Sequence, residues 1–154
     1  HGWSDASAGM EVVTSVMRVH QLLLAAVDEV LSPFGLTFAR YELLQLLSFT
    51  REGSLPLGRI GARLQVHPAS VTNAVDRLEA EGMVRRCAHP TDGRAVLAAI
   101  TAKGRRVARA STEALNEEIF EALALDEVAL KRLTVSLRAL RVATGDPDAS
   151  GSPR

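Results

Sequence analysis

Apolar side chains recur at helical spacing from about residue 8 to residue 31, at Val12, Val16, Val19, Leu23, Val27 and Val30, with Leu22, Leu24 and Leu31 widening the stripe. A helix apolar on so many sides predicts a partner for its surface. Ser32-Pro33-Phe34-Gly35 ends it, since proline disfavours helical geometry in the residue before it and glycine supplies a turn. A second helix is expected over Phe38 to Phe49, capped by the Thr37 hydroxyl, and Arg51-Glu52-Gly53-Ser54 reads as a polar loop. Leu57, Ile60 and Leu64 give a short third helix its inward face. Pro68 restarts the chain where its missing N–H costs nothing, and a fourth helix runs to about Glu81 and stops at Gly82. Thr101 caps a long fifth helix with Leu115, Ile119 and Leu123 four apart, and Asp126 caps a last one striped by Leu130, Leu133, Leu137 and Leu140. The breaker-rich residues 145–154 predict a disordered tail.

The third and fourth helices meet across Gln65-Val66-His67. Gly61-Ala62 allows a close approach, Val66 is expected to point inward, and Val71, Ala74, Val75 and Leu78 give the fourth helix its buried face. The opposite face then holds Ala69, Asn73, Asp76 and Ala80, flanked by Ser70, Thr72 and Arg77. These are short polar groups that reach base edges or phosphates without filling a groove. Asn73 is the best candidate base reader, because its amide can pair bidentately with adenine.

Directly afterwards comes a basic hairpin, Arg85-Arg86-Cys87 to Ala99-Ile100. Asp92-Gly93-Arg94 forms its tip: Gly93 permits a positive φ, Asp92 is expected to pair with a nearby arginine and hold the wing's shape, and Arg94 reaches beyond the strands toward a minor groove. The expected fold is mainly α with a small β-hairpin wing, a winged helix-turn-helix over 36–101 flanked by dimerisation helices at 8–34 and 102–144. The two flanking helical regions carry stripes larger than so small a lobe can cover, and a second copy is the simplest cover.

Charge sharpens this picture. The 154-residue chain is formally neutral, yet residues 55–106 hold nine Lys/Arg against four acids, a surplus of five, and the remainder carries −5. A basic middle between acidic flanks points to one local polyanion-binding face. The hydrophobic content of 47% allows a real core, and neither an unbroken apolar run of membrane-spanning length nor a basic-then-apolar leader is evident, so no membrane association and a cytoplasmic location are expected. One cysteine forms no internal disulfide, and His1, His20, His67 and His89 lack ligand spacing, so neither a metal nor another cofactor is expected.

Leu36-Thr37, the segment Val71-Thr72 to Asp76-Arg77-Leu78-Glu79, Gly82-Met83-Val84 leading into Arg85-Arg86, Asp92-x-Arg94 and Ile100-Thr101-x-Lys103-Gly104 stand in an order and spacing that resembles the MarR family of transcriptional regulators. The likeness covers nearly the whole chain. It implies a triangular homodimer with intertwined terminal helices, paired winged lobes on a pseudopalindromic operator in double-stranded DNA, and, as is usual in the family, repression relieved by a small phenolic or aromatic carboxylate effector. The expected DNA contacts are His67, Ala69, Ser70, Thr72, Asn73, Arg77, Arg86 and Arg94, with Asp92 and Gly93 shaping the wing. His67 stands at the recognition-helix cap, where Ser or Asp is the better choice. Met17, Arg18 and His20 of the first helix with Phe38 and Tyr41 of the second combine cation, donor and aromatic wall, a mix suited to a small aromatic anion.

Other classes fare worse. Glu117, Glu118 and Glu121 lack a histidine partner and read as a solvated helix face, and neither a nucleophile with its base nor a Gly-rich phosphate loop is present, so an enzyme is not expected. Cys87 differs in position from the sensing cysteine of peroxide-responsive relatives and reads as a small packing residue. A winged helix used only to bind protein is the main alternative, set against by the polar Ser70, Thr72, Asn73 face.

Overall fold

A computed structural model describes residues 3–92 and 94–146, with side chains from Ser7 onward. Helix α1 spans Trp3–Leu31 and gives way to a single 3-10 turn at Ser32–Phe34, where Gly35 takes φ 70° and closes the turn by donating to the Ser32 carbonyl. Helix α2, Phe38–Phe49, begins where expected but is capped differently. Its Thr37 hydroxyl makes no cap; the Phe38 N–H instead donates to Oδ1 of Asp28, ten residues back on α1, at 2.7 Å. The cap therefore also locks α1 to α2.

Strand β1, Ser54–Pro56, occupies the end of the segment expected to be loop. It leads into α3, Leu57–Leu64, and after Gln65 in a left-handed turn (φ 54°) into α4, Pro68–Ala80. Val66 is 37% exposed, which corrects its expected inward orientation: the turn is tight because Gly61 faces the Val66 carbonyl and a Val71 methyl, where even a Cβ would be crowded at 3.3 and 3.4 Å. Gly82 at φ 70° ends α4, with Met83 N–H donating back to Leu78 O at 2.8 Å.

Strands β2, Val84–Ala88, and β3, Val96–Ile100, form the wing, and β1 pairs along the outer edge of β3, giving an antiparallel order β1-β3-β2. Helix α5, Ala102–Leu115, starts at a Thr101 cap that accepts from Gly104 N at 3.0 Å. It does not continue to Leu123 as expected. The chain widens into one π-helical turn at Asn116–Phe120 and then leaves helical geometry, with Leu123 exposed.

Within residues 1–121 the core gathers Val27 and Leu31 of α1, Leu43, Leu44 and Leu47 of α2, Ile60 of α3, Val71, Val75 and Leu78 of α4, and Leu115 of α5. Helix α2 is the central element, packed on α1, α3, α4 and α5. Fully burying each of these side chains contributes about 1.5–3 kcal/mol, so the winged module and the α1 and α5 segments packed on it share one substantial core. Most of α1 before Leu24 is exposed, including Met10, Val13, Met17 and Leu22. By length and composition the stretch Ser7–Phe34 is sufficient to cross a membrane, with a mean hydropathy of 1.3 over 18 residues. No unbroken apolar run reaches that length, since Thr14, Ser15, Arg18, His20 and Gln21 interrupt it; the stretch qualifies only by its average.

Residues 122–154 form a separate unit. Its helix α6, Glu127–Ala143, is capped by Asp126, whose carboxylate accepts from Ala129 N at 2.7 Å as the sequence predicts. Gly145 and Asp146 close α6 rather than starting the tail, since Asp146 N–H donates to Arg141 O and its carboxylate accepts from Arg141 Nε at 2.6 Å. The rest of the expected tail, 147–154, lies outside the described residues.

Candidate nucleic-acid interface

The face of α4 opposite Val71, Val75 and Leu78 is open. Ala69, Ser70, Thr72, Asn73, Asp76, Arg77 and Ala80 are all exposed, as the helical wheel predicts. His67 serves as the α4 cap, its Nδ1 accepting from Ala69 N at 3.2 Å. Pro68 follows at the first helical position and needs no acceptor. Thr72 donates its hydroxyl hydrogen back to Pro68 O at 3.1 Å, which leaves its oxygen facing outward as an acceptor.

The wing stands beside this helix through a network that sequence reasoning missed. Glu79, one turn beyond Val75 on α4, accepts from Arg86 N at 2.8 Å and from the Arg86 guanidinium, which also donates to Asp76 Oδ1 at 2.6 Å. The Arg86 backbone N–H first, and its guanidinium second, hold the Glu79 carboxyl below the usual carboxylate range. Arg86 is thus a strut between β2 and α4 rather than an open cation for phosphate, which qualifies its expected role. The signal was present in the sequence only as two acids three residues apart on one helix face.

At the tip, His89 organises the turn. Its Nδ1 accepts from Thr91 N at 3.3 Å and Asp92 N at 3.2 Å, while the His89 backbone N–H donates to Ala95 O. Asp92 does hold the wing's shape, but through the Arg94 backbone: Oδ1 accepts from Arg94 N at 3.1 Å and the Asp92 carbonyl accepts from Ala95 N. Among the described residues no arginine side chain pairs with Asp92, and Arg94 is exposed and takes part in no ion pair. Gly93 lies outside the described residues. Cys87 packs on β2 opposite Leu97, its Sγ 4.0 Å from that carbonyl.

Helices and wing are locked at one seam. Thr101 Oγ1 donates to the Gly82 carbonyl at 2.7 Å and Lys103 Nζ to the Glu81 carbonyl at 2.6 Å, so the start of α5 closes over the end of α4. The Ile100-Thr101-x-Lys103-Gly104 motif is that seam.

The five residues proposed for a small ligand are not gathered into one site. Phe38 and Tyr41 stack at a centroid distance of 6.4 Å, and Tyr41 is buried with its hydroxyl 3.1 Å from Thr112 Oγ1 on α5. Met17, Arg18 and His20 lie exposed on α1; His20 is eight residues, roughly 12 Å along the axis, before the Asp28 that meets Phe38. A cavity of about 420 Å³ instead opens between α2 and α5, lined by Gln45, Ser48, Arg105, Arg109, Thr112 and Glu113 among others. Gln45 Nε2 donates there to Ala108 O and Thr112 Oγ1, and the buried Ser48 hydroxyl has no partner among the described residues.

Residues 36–96, the winged module itself, match the MarR family. An uncharacterised HTH-type transcriptional regulator of Mycobacterium bovis is 31% identical over 121 residues, 79% of this chain and 80% of its own length. That settles membership. The chain belongs to the MarR family of transcriptional regulators. Its fold is correspondingly that of a MarR-family regulator from Streptomyces coelicolor, with a TM-score of 0.82 and 49% identity over 92% of this chain and 98% of that one. A second Streptomyces coelicolor regulator of the family, solved in complex with DNA, shares the fold at a TM-score of 0.79 and 24% identity, covering 94% of this chain and 92% of that one. Family and fold are those of regulators, not of enzymes.

Proposed function

We propose that this MarR-family regulator binds a pseudopalindromic operator as a homodimer and represses transcription, with α4 in the major groove and the wing on the neighbouring backbone or minor groove. The observation that carries it is the pairing of the exposed Ser70, Thr72, Asn73 and Arg77 row with an uncommitted Arg94 at the wing tip. Support comes also from the DNA complex of the Streptomyces coelicolor relative that shares this fold. His67 and Ala69 sit at the leading end of α4, where a recognition helix meets bases and phosphate.

The exposed apolar side chains of α1 and, within its own unit, of α6 (Val128, Leu133, Val135, Leu137) supply the surface a second copy would cover. Helix α1 is then a subunit interface rather than a membrane span, and the protein works in the cytoplasm. Fluorescence anisotropy with labelled duplex over a salt series, paired with light scattering, tests the whole reading. A dimer whose affinity falls steeply with salt is expected, at a slope near −0.9 per phosphate contact. A monomer, a protein that partitions with membranes, or affinity indifferent to salt overturns it.

For effector release, the α2–α5 cavity is a better seat than the α1–α2 junction. It joins Arg109 to hydrogen-bonding Gln45, Ser48 and Thr112 at the place where α5 meets the winged module, chemistry that suits a small phenolic or aromatic carboxylate. Such a ligand would favour a lobe arrangement unsuited to the operator through differential affinity for two states. Calorimetry with phenolic acids against the native protein and Gln45→Leu checks it: a compound that binds equally to both does not use this cavity.

A further inference from the structure

The first turn of α4 has its hydrogen-bond donors committed within the protein. Pro68 has no N–H, the Ala69 N–H donates to His67 Nδ1 at 3.2 Å, and the Ser70 and Val71 N–H groups both donate to the His67 carbonyl, at 2.9 and 3.3 Å. The Thr72 hydroxyl hydrogen is committed as well, to Pro68 O. A recognition helix with free leading amides grips a phosphate through them. This one presents hydrocarbon on the flank beside them instead.

That hydrocarbon forms a continuous surface. Pro68 and Thr72 stand at i and i+4 on the flank of α4 that faces α3, and a notch of about 330 Å³ opens there, lined also by Leu57, Ala62 and Val66 among others. None of the residues lining it is charged, and Val66 is 37% exposed. Ala69, exposed one position further round the helix than Pro68, carries the apolar strip to Asn73. A wall poor in donors and without charge is a bad match for a phosphate oxygen, which has to be hydrogen-bonded once it leaves water. It matches the one apolar group that a base pair shows in the major groove, the 5-methyl of thymine, which alanine and threonine methyls contact well.

We propose that the α3-facing flank of α4 reads a thymine by its 5-methyl group, which packs against the Thr72 methyl and Val66 at the notch. Thr72 and Val66 are then specificity-determining residues, acting through an apolar contact, whereas Asn73 acts through hydrogen bonds. The inference rests on the operator reading given above and names a base feature that the operator must carry.

The test selects duplexes from a random-sequence pool with the intact protein and then replaces each thymine of the selected duplex in turn by deoxyuridine, which removes the methyl and keeps the base pair. Anisotropy is expected to show a thymine in each half-site at which the replacement weakens binding about fourfold, the worth of one methyl group taken out of water. Thr72→Ser removes the side-chain methyl and keeps the hydroxyl, and is expected to lose most of the preference for thymine over deoxyuridine; Val66→Ala is expected to reduce it. Thr72→Val keeps a methyl in place and removes the hydroxyl, and is expected to retain the preference. A selected duplex that tolerates deoxyuridine at every thymine overturns the proposal and leaves the operator reading standing. A preference that survives undiminished in both Thr72→Ser and Val66→Ala also overturns it, because the methyl is then read elsewhere, as does one lost in Thr72→Val and kept in Thr72→Ser, which assigns the role to the hydroxyl. A protein that enriches no duplex at all overturns the operator reading and this proposal together.

Discussion

A Cβ placed on Gly104 would stand 2.1 Å from the carbonyl oxygen of Met83, so α5 crosses the start of the wing with backbone against backbone. The same Met83 carbonyl accepts from the Thr101 N–H at 3.0 Å, which holds it in place. Gly104 is required here for space and not for a special dihedral. Gly104→Ala is expected to destabilise the fold by about 1–3 kcal/mol or more, the range for overpacking against a rigid neighbour. Urea denaturation measures it, with Arg106→Ala as the control at an exposed position of the same helix. A Gly104→Ala protein as stable as the native one would mean that α5 shifts freely against the wing.

The Glu79 carboxylate gives the protein a defined acid sensitivity. Its folded-state pKa is depressed by the Arg86 N–H and guanidinium, so its contribution to stability is present above the ordinary carboxylate range, near pH 4.3, and is lost as pH falls through the lower folded value. Glu42, half-buried on α2, runs the other way: burial raises its pKa, and ionising it costs stability as pH rises. Comparing native protein with Glu79→Gln in urea melts from pH 7 to pH 3 cancels Glu42 and isolates Glu79. The stability gap between the two is expected to close as the pH drops; a gap constant with pH would show that the carboxylate charge is not what holds β2 to α4.

Much of this architecture was legible because it is local. The α4 reading face follows from Val71, Val75 and Leu78 at helical period, and the ends of α4 follow from Pro68 and Gly82, each a feature within a few residues of its effect. What escaped depends on partners distant in sequence. Asp28 caps α2 from the preceding helix and displaces Thr37. Strand β1 is three residues ending in Pro56, too short to alternate, and exists only because β3 offers it an edge. Arg86 looked like a free cation because β2 brings it against Glu79 and within reach of Asp76 of α4, a relation set by packing. The ligand candidates show the same dependence: Arg18 is exposed on α1, whereas Tyr41 is buried against Thr112 of α5.

Asp76 places a negative charge on the surface proposed to meet DNA, partly offset by Arg86 at 2.6 Å. Asp76→Asn removes that charge and loosens one of the two acids on Arg86, while Glu79 keeps the strut in place. Duplex affinity is expected to rise several-fold at low salt, and the salt slope to steepen by about 0.9 if the guanidinium then reaches a phosphate. Anisotropy titrations at several salt concentrations decide it. A fall in affinity would mean that Asp76 is needed to aim Arg86 rather than to restrain it.

The proposed interface divides its labour between α4 and the wing, and the two parts fail differently. Asn73 is exposed at the centre of the α4 face, and its amide offers a donor and an acceptor in the pattern that adenine presents in the major groove. Asn73→Ala is expected to cost about 1–3 kcal/mol on the cognate operator and little on random duplex, so that specificity relaxes. Arg94 is exposed on a turn built by His89 and Asp92, with its backbone N–H fixed on the Asp92 carboxylate. Arg94→Ala is expected to weaken binding to every duplex, most where A·T-rich flanks narrow the minor groove and deepen its negative potential. His89→Ala supplies a third arm, because loss of the imidazole acceptor loosens the turn without removing any charge that faces DNA. It should reproduce the Arg94→Ala pattern in weaker form. If Asn73→Ala and Arg94→Ala instead lose affinity equally on operator and random DNA, neither residue reads sequence, and α4 is not the recognition helix.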